Sequence, residues 1–539
     1  MFVKNSAHKQ SVMFGGIDLL SNKARQLLES SWAHAFYEQW FVRIDESMFS
    51  VLYSDKKSRP NTPVNILVGL ETVKSGFGWS DEELYNRYLF DVQVRYALGL
   101  RALDEGCFDL RTLYNFRASV VKYERDHGVN LIAKATEKIT DEQIRRYELK
   151  TGMQRMDSTQ IQSNIRRMSR LQLLVEVIGR FHRKLGKQEQ SEYETLFAEY
   201  VKTDSLHYCY RIERDEVEGK LQQIGRDLQV MIDTFADSHG KRAEYGDLVR
   251  VFGEHYRIDK ERIELKAAKE MSGSTLQSPD DREVTYRKKG NEGSRGYVAN
   301  ISETCDPQNE LQLITSVSVE PNTTDDQKLL AADIEGLCER TDLEELITDG
   351  GYLGETASQA LEAQSVELKT SAIKGKPRSD DTIGFEEFTV ERDAEQAVTA
   401  LSCPQGKKAE VRSGGKPGHY SAGFDAAECA GCPFADRCPA RRLKRRPVHV
   451  LRFTDTNIRV AEQRREFAAS GTETGNRRAS VESTVRSVIH PFGGHLCKMP
   501  VRGKSRITTM AVLSAAMVNV RRIMRYYFAQ NSPPSLQPA

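Results

Sequence analysis

The chain has 539 residues, of which 39% are hydrophobic and 29% are charged, and its formal net charge is only +1. This length exceeds what one hydrophobic core usually supports, so we expect roughly two to four domains. No apolar run stands out as a membrane span, residues 1–16 lack the apolar core of a signal peptide, and the nine cysteines are mostly scattered, which favours a cytoplasmic, reducing environment. Any contact with nucleic acid must then come from local basic patches.

Residues 1–145 are predicted to form a helical domain. Thr62 and the proline after it are typical of a helix start, and Ser80 with Glu83 forms a capping box before a second helix. A further helix is expected from Asp109 to about Tyr123. The cations of this domain either contact DNA phosphates or form a solvated face; they include Lys56, Lys57, Arg59, Arg111 and Arg117.

Residues 165–270 are charged and have a helical pattern, which predicts a helical insertion. One apolar stripe recurs every three or four residues, and consists of Leu221, Ile224, Leu228, Met231 and Phe235. The stripe favours a packed helical hairpin, with a coiled-coil dimerisation arm as the alternative.

The pattern changes period near Tyr286. Residues 296–302 and 311–319 predict two strands joined by a turn, and a helix is expected from about Thr324 to Arg340. An apolar strand then ends in Asp349, and two glycines follow it, which allows a tight turn and a close backbone approach. Since Asp157 lies in an earlier extended segment, the order of strand, hairpin, helix and strand places both aspartates on neighbouring strands of a mixed sheet.

A third acid, Glu482, lies in a basic helical run. Arg478, Glu482 and Arg486 are spaced by four, so they share one helix face, which either grips phosphates or forms a ladder of surface ion pairs. Around it, residues 477–506 carry seven cations against the single acid, and this is either a DNA footprint or a solvated basic loop. The cations are Arg477, Arg478, Arg486, Lys498, Arg502, Lys504 and Arg506.

Four cysteines between Asp349 and Glu482 offer enough thiolates for a tetrahedral Zn²⁺ site, and they are Cys403, Cys429, Cys432 and Cys438. The alternative is a small knuckle of reduced thiols without metal, and His419 and His449 are substitute ligands. A cationic run accompanies them, which either touches DNA or is solvated, and it consists of Arg437, Arg441, Arg442, Lys444, Arg445 and Arg446.

These stretches, taken in order, resemble the DDE transposases of bacterial insertion sequences. The resemblance includes residues 60–117, the segments around Asp157 and residues 286–306, the Thr348-Asp349-Gly350-Gly351-Tyr352 motif, and residues 478–506. It implies an α/β fold, with an RNase H-like mixed sheet preceded by a helical domain and interrupted by two insertions. The implied segments are a DNA-binding helical domain at 1–145, a catalytic domain at 146–164, 286–395 and 465–530, a helical insertion at 165–285, a Cys-rich basic insertion at 396–464 and a flexible tail at 531–539.

The resemblance also implies that Asp157, Asp349 and Glu482 form a metal-binding catalytic triad. Mg²⁺, or Mn²⁺ in its place, prefers hard oxygen ligands, so a carboxylate cluster can hold two ions roughly 3.5–4 Å apart. The implied chemistry is cleavage at the ends of a DNA element and then strand transfer, by in-line attack at phosphorus.

The sequence departs from the family pattern at two positions near Glu482. Similar transposases often place a lysine seven residues beyond the glutamate and a tyrosine three residues before the arginine, but Ile489 and Gly475 occupy these places. The absence of the lysine either lowers the activity of the protein or shifts the DNA-holding role to His490, Lys498 or Lys504.

Two other functions remain open at this point. One is an RNase H-like nuclease without strand transfer, and the other is a catalytically inactive DNA-binding protein derived from a transposase. The expected partners are double-stranded DNA, as transposon ends and target, and a second copy of the chain on DNA, with no membrane. The expected location is the bacterial cytoplasm, in association with the nucleoid.

Overall fold

The computed structural model describes the chain except residues 10–15, 17–18, 55, 57–58, 103–104, 261, 371–381, 394–396, 445, 471–472 and 532–539. The protein is a mixed α/β protein that divides into two compact units. Unit 1 consists of Met1–Thr151, Met156–Asp325 and Glu482–Ala539, and unit 2 consists of Gly152–Arg155 and Asp326–Val481. The five predicted sequence segments stay a prediction.

The first part of unit 1 is helical, as predicted. Its helices are α1 (Asn22–Glu29), α2 (Trp32–Gln39), α3 (Val64–Phe77), α4 (Asp81–Phe90), α5 (Val92–Ala97), α6 (Leu110–His127) and α7 (Leu131–Arg146). They share one apolar core with the last helix of the chain, α19 (Lys504–Asn531), whose Leu513, Met517 and Val520 are buried among them.

The start of α3 differs from the prediction that Thr62 caps it. The N-cap position is Pro63, which has no side-chain donor or acceptor. Instead, the buried Glu46 carboxylate accepts hydrogen bonds from the backbone N–H groups of Val64 (2.9 Å) and Asn65 (3.2 Å). The prediction is wrong because an acid distant in sequence satisfies the helix N-terminus.

The insertion that follows β1 (Met153–Gln162) has a core of its own. It contains α8 (Arg170–His182), α9 (Lys187–Glu192), α10 (Glu194–Val201), α11 (Ser205–Tyr210), α12 (Val217–His239), α13 (Ala243–His255), β2 (Tyr256–Asp259) and β3 (Arg262–Leu265). The five apolar residues of the predicted stripe lie on α12, and all are buried in this core with Leu174 and Phe181. The packed helical interpretation is therefore confirmed.

Unit 1 also contains an antiparallel arrangement of β4 (Thr285–Lys289), β5 (Glu292–Thr304) and β6 (Ile314–Pro321). The predicted hairpin is β5 and β6, with Asn300 paired to Ser318. The later residues of β1 lie against β5 so closely that a Cβ atom at Gly296 would come within 2.0 Å of the Ile161 carbonyl oxygen. This contact requires glycine.

Unit 2 begins with parallel pairing of the first residues of β1 with β7 (Glu345–Thr348), and of β7 with β8 (Glu367–Thr370). The helices α14 (Asp326–Arg340) and α15 (Glu355–Ala363) pack together beside these strands. The predicted helix ending at Arg340 is confirmed, and the strand predicted to end at Asp349 ends one residue earlier, at Thr348.

A second, antiparallel sheet makes up most of the remainder of unit 2. Its strands are β9 (Thr389–Arg392), β10 (Val398–Ser402), β11 (Lys408–Ser413), β12 (His419–Asp425), β13 (Arg441–Arg442) and β14 (Val448–Thr454). The short helix α16 (Ala426–Cys429) follows β12, and the helices α17 (Asp455–Ser470) and α18 (Glu473–Ile489) follow β14. The core of this sheet includes Phe388, Leu401, Phe424 and Phe453. No strand was predicted here, since short strands with charged outward positions have little apolar alternation.

Among the described residues, α19 is the one helix long and apolar enough to cross a membrane by length and composition. About 72% of its apolar window is buried inside the protein, as in a core helix. The expectation that the chain has no apolar run long enough for a membrane span is wrong by this criterion. The apolar sequence of α19 is accounted for by its burial in the protein core.

Candidate active site

Asp157 lies on β1, the strand that contributes to both units. Its neighbour Met156 is buried, whereas Asp157 is half-buried and its Oδ1 accepts a hydrogen bond from the N–H of Ser158 (2.9 Å). In unit 2, Arg155 of β1 pairs with Ile347 of β7 in parallel register.

Asp349 follows β7 directly and caps a short 3-10 helix, Gly350–Tyr352. The strand before it is buried, and the half-buried Asp349 carboxylate accepts a hydrogen bond from the N–H of Gly351 (2.7 Å). Arg155 and Ile347 are paired across the two strands, and Asp157 and Asp349 each lie two residues further along the chain. The apolar strand predicted to deliver an acid at its end is confirmed for Asp349.

Close contacts at Gly351 require glycine at the second position after Asp349. A Cβ atom at Gly351 would lie 2.7 Å from a carboxylate oxygen of Asp326 and 2.8 Å from one of Asp349. Asp326, the first residue of α14, is thus an acid close to Asp349 that the sequence reasoning missed. Its position at the start of a predicted helix was the available signal.

Glu482 lies on α18, and the helix has two distinct faces. Val481, Val485 and Val488 are buried, whereas Glu482 and Arg486 are exposed. His490, the first residue after α18, is also exposed. The shared face predicted for Glu482 and Arg486 is confirmed, and Arg478 lies on the same helix but its side chain is outside the described residues.

Ile489 occupies the place of the lysine expected from the family pattern. Its side chain is only 5% exposed, and it belongs to an apolar core with Val488, Cys497 and Met510. Burial of this position explains the departure, because a lysine here would have to leave the core or be desolvated.

The cations after α18 differ in their surroundings. The Lys504 ammonium lies 2.7 Å from Glu320, and Arg502 donates to the carbonyl of Asn164 (2.6 Å). Lys498 and Arg506 are exposed. The seven cations of the sequence are therefore not equally available to phosphates.

Arg117 was among the cations predicted to contact DNA or solvent. Instead its guanidinium, only 19% exposed, forms ion pairs with Glu71 (2.7 Å) and Asp81 (2.7 Å). Asp81 also pairs with Lys74 (2.6 Å). That prediction is wrong for Arg117, because the buried Glu71 and the half-buried Asp81, both on other helices, hold it.

The four cysteines lie in the connections between the strands of the second sheet of unit 2, Cys429 at the end of α16, and all are half-buried. Burial raises the pKa of the Cys429 thiol, and the nearby thiols of Cys438, Cys432 and Cys403 raise it further, so these sulfurs are neighbours. Among the described residues, however, no group of three or more His, Cys, Asp or Glu side chains has a geometry that could hold a metal ion. The thiols are near one another without forming a ligand cluster.

The cationic run after the cysteines is accessible to solvent. Arg441 and Arg442 form β13, which pairs with β14, and both are exposed, as are Lys444 and Arg446. Arg445 lies outside the described residues.

Comparison with known families gives one match. Residues 402–524 match the model of a family described as Transposase DDE domain. The matched segment contains Glu482, the four cysteines and the cations of α18 and β13, whereas Asp157 and Asp349 precede it. No curated protein and no solved structure gives a match. The resemblance to DDE transposases is confirmed, and an origin in a bacterial insertion sequence stays a prediction.

Proposed function

We propose that this chain, which carries a transposase DDE domain, is a DNA transposase that binds the ends of its element and catalyses metal-dependent strand cleavage and strand transfer. The observation that carries the proposal is the family match over residues 402–524, which includes Glu482 on an exposed helix face. The bacterial cytoplasm, a dimer on DNA and the ends of an insertion sequence are parts of the same proposal.

The proposal includes an RNase H-like catalytic domain. It is supported by parallel pairing of β1, β7 and β8, by the antiparallel β4, β5 and β6, and by α14 between β6 and β7 along the chain. Parallel strands joined through a helix are the usual way in which a mixed sheet brings residues at strand ends to one edge.

Asp157, Asp349 and Glu482 are proposed as the catalytic carboxylates. The matching positions of the two aspartates after the Arg155–Ile347 pair support this assignment. Their oxygen donors suit Mg²⁺ or Mn²⁺ by chemistry. When bound, two such ions would supply charge stabilisation and water activation at the reacting phosphate.

The exposed face of α18 is proposed to hold DNA. Arg486 can form charge-assisted hydrogen bonds to a phosphate, and His490 can donate a further one. Ile489 is in the core and cannot take the role of the missing lysine. His490 and Lys498 are exposed and can reach a phosphate, whereas Lys504 is paired with Glu320.

The second sheet of unit 2 is proposed as an additional DNA contact through its exposed cations. Each phosphate that they neutralise adds to the salt dependence of binding. The proposal extends to a structural Zn²⁺ held by the four cysteines, which is supported by the proximity of their thiols to Cys429 and by the small core of this sheet. Metal binding would have to draw the sulfurs together.

The test uses purified protein and a supercoiled plasmid that carries the DNA flanking the gene for this chain. We expect Mg²⁺- or Mn²⁺-dependent cleavage that is lost in Asp157→Asn, Asp349→Asn and Glu482→Gln, with DNA binding retained. Asp237→Asn, which changes an exposed acid of the helical insertion, is the control and should cleave normally. Binding without cleavage by the native protein would favour the inactive DNA-binding protein instead.

A further inference from the structure

A buried carboxylate lies beneath the helix that carries Glu482. Glu303, near the end of β5, is 0% exposed. Thr484 Oγ1 lies 2.8 and 2.7 Å from its two carboxylate oxygens, and Arg522 Nη1 donates to it at 2.7 Å. Arg522 Nη2 also donates to Thr484 Oγ1, so each of the three side chains is hydrogen-bonded to the other two.

The network joins β5, α19 and the part of α18 that belongs to unit 1, which begins at Glu482. Arg522 also donates to the carbonyl of Gln312 (3.2 Å), and Ser514 of α19 donates to the carbonyl of Val488 (2.7 Å), which gives a second polar link between the two helices. Among the described side chains of α18, which begin at Val481, the other buried residues are valine and isoleucine, whose contacts have little directional preference.

A buried ion pair of this kind contributes little net stability, because desolvation of the two charges offsets their attraction. Its hydrogen bonds, however, have strict geometry, so they can select one rotation of a helix among several similar apolar packings. Thr484 is two residues beyond Glu482, and a rotation of α18 that broke its bonds would also redirect the Glu482 carboxylate.

We infer that Glu303, Thr484 and Arg522 are positioning residues that fix the rotation of α18 and thereby orient Glu482 towards the metal and DNA. The inference rests on the proposed function, since it assigns to the network a role in the reaction of Glu482. Groups that orient a metal-binding side chain typically change metal affinity or activity by about 10–100-fold when they are removed.

The central variant is Thr484→Val, which keeps the shape and removes the hydroxyl. Its readout is the Mg²⁺ concentration at half-maximal cleavage of the flanking-DNA plasmid, together with thermal stability and DNA affinity in EDTA. We expect the Mg²⁺ midpoint to rise by about 10-fold with DNA affinity unchanged. Thr484→Ser retains the hydroxyl and should restore the wild-type midpoint.

Thr72→Val is the matched control for a purely structural effect. Thr72 is a fully buried threonine of α3 whose Oγ1 bonds the carbonyl of Val68 (2.8 Å) and accepts from Trp40 (3.0 Å). The Thr72→Val variant should therefore have a lower melting temperature but the wild-type Mg²⁺ midpoint. If Thr484→Val is also destabilised but keeps the wild-type midpoint, the network is structural only and the inference is wrong.

Glu303→Gln is the second variant, in case Thr484→Val does not fold. It keeps the side-chain shape, and Arg522 retains 18% exposure through which to solvate its charge. The same rise in midpoint is expected, and a folded Glu303→Gln with the wild-type midpoint overturns the inference. Retained cleavage by Glu482→Gln would instead show that the assignment of Glu482 fails, and the inference would fall with it.

Discussion

Replacement of Ile489 by lysine restores the family residue at a position that the structure places in a core. Ile489 is 5% exposed among Val485, Val488 and Met510. Loss of its burial costs about 1.5–3 kcal/mol, and a desolvated ammonium adds several kcal/mol unless the side chain reaches solvent. We therefore expect Ile489→Lys to be destabilised by about 3–5 kcal/mol, which lowers the melting temperature of a chain of this length by about 3–5 °C.

The matched variant is His490→Lys, because His490 is the next residue and is exposed. It should leave the melting temperature nearly unchanged, since exposed substitutions usually change stability by about 0.5 kcal/mol or less. If His490 contacts a phosphate, the added charge should steepen the plot of log Kd against log salt by about one unit. Thermal unfolding and DNA binding across a salt series measure both effects. An Ile489→Lys protein as stable as the wild type and with tighter DNA binding would refute the reasoning.

Three further predictions concern other parts of the chain. Burial alone would raise the pKa of Asp81, but its partners Arg117 and Lys74 outweigh burial and lower the pKa to about 2. The ionised carboxylate therefore stabilises the fold above pH 3.8, and this stabilisation is lost as the pH falls towards 2. In Asp81→Asn, the melting temperature should fall less between these two pH values. Gly78→Ala should destabilise more than Gly128→Ala in thermal unfolding, because both glycines have positive φ but only the Cβ at Gly78 would meet a backbone carbonyl oxygen, at 1.9 Å; equal losses would contradict the contact. Elemental analysis should find about one zinc per chain in the native protein, less in Cys429→Ser and the native amount in Cys338→Ser; a native protein without zinc would refute the metal site.

The sequence was informative where periodicity and order carry the signal. The β5–β6 hairpin, α14 and the strand before Asp349 follow from apolar patterns and turn residues, and the structure confirms them. The apolar face of α12 also predicted its burial. In each case the pattern is local, so neighbouring residues contain most of the information needed.

Other features depend on residues that are distant in sequence. The partners of Arg117 lie on other helices, and a sequence does not show that a given cation faces two acids rather than solvent. The same holds for Asp326 beside Asp349, and for the Glu303 carboxylate beneath α18. Burial of Ile489 is a tertiary property too, although its place beside Val488 in an apolar pair was a signal.

The measurement that tests the central claim most directly is the recovery of joined DNA. Native protein is incubated with Mg²⁺, DNA carrying the flanking sequences and a second target plasmid, and the junctions are sequenced. The account predicts covalent junctions between the 3′ ends of the element and the target, absent with Asp349→Asn. Cleavage without any junction would contradict transposition and leave a nuclease.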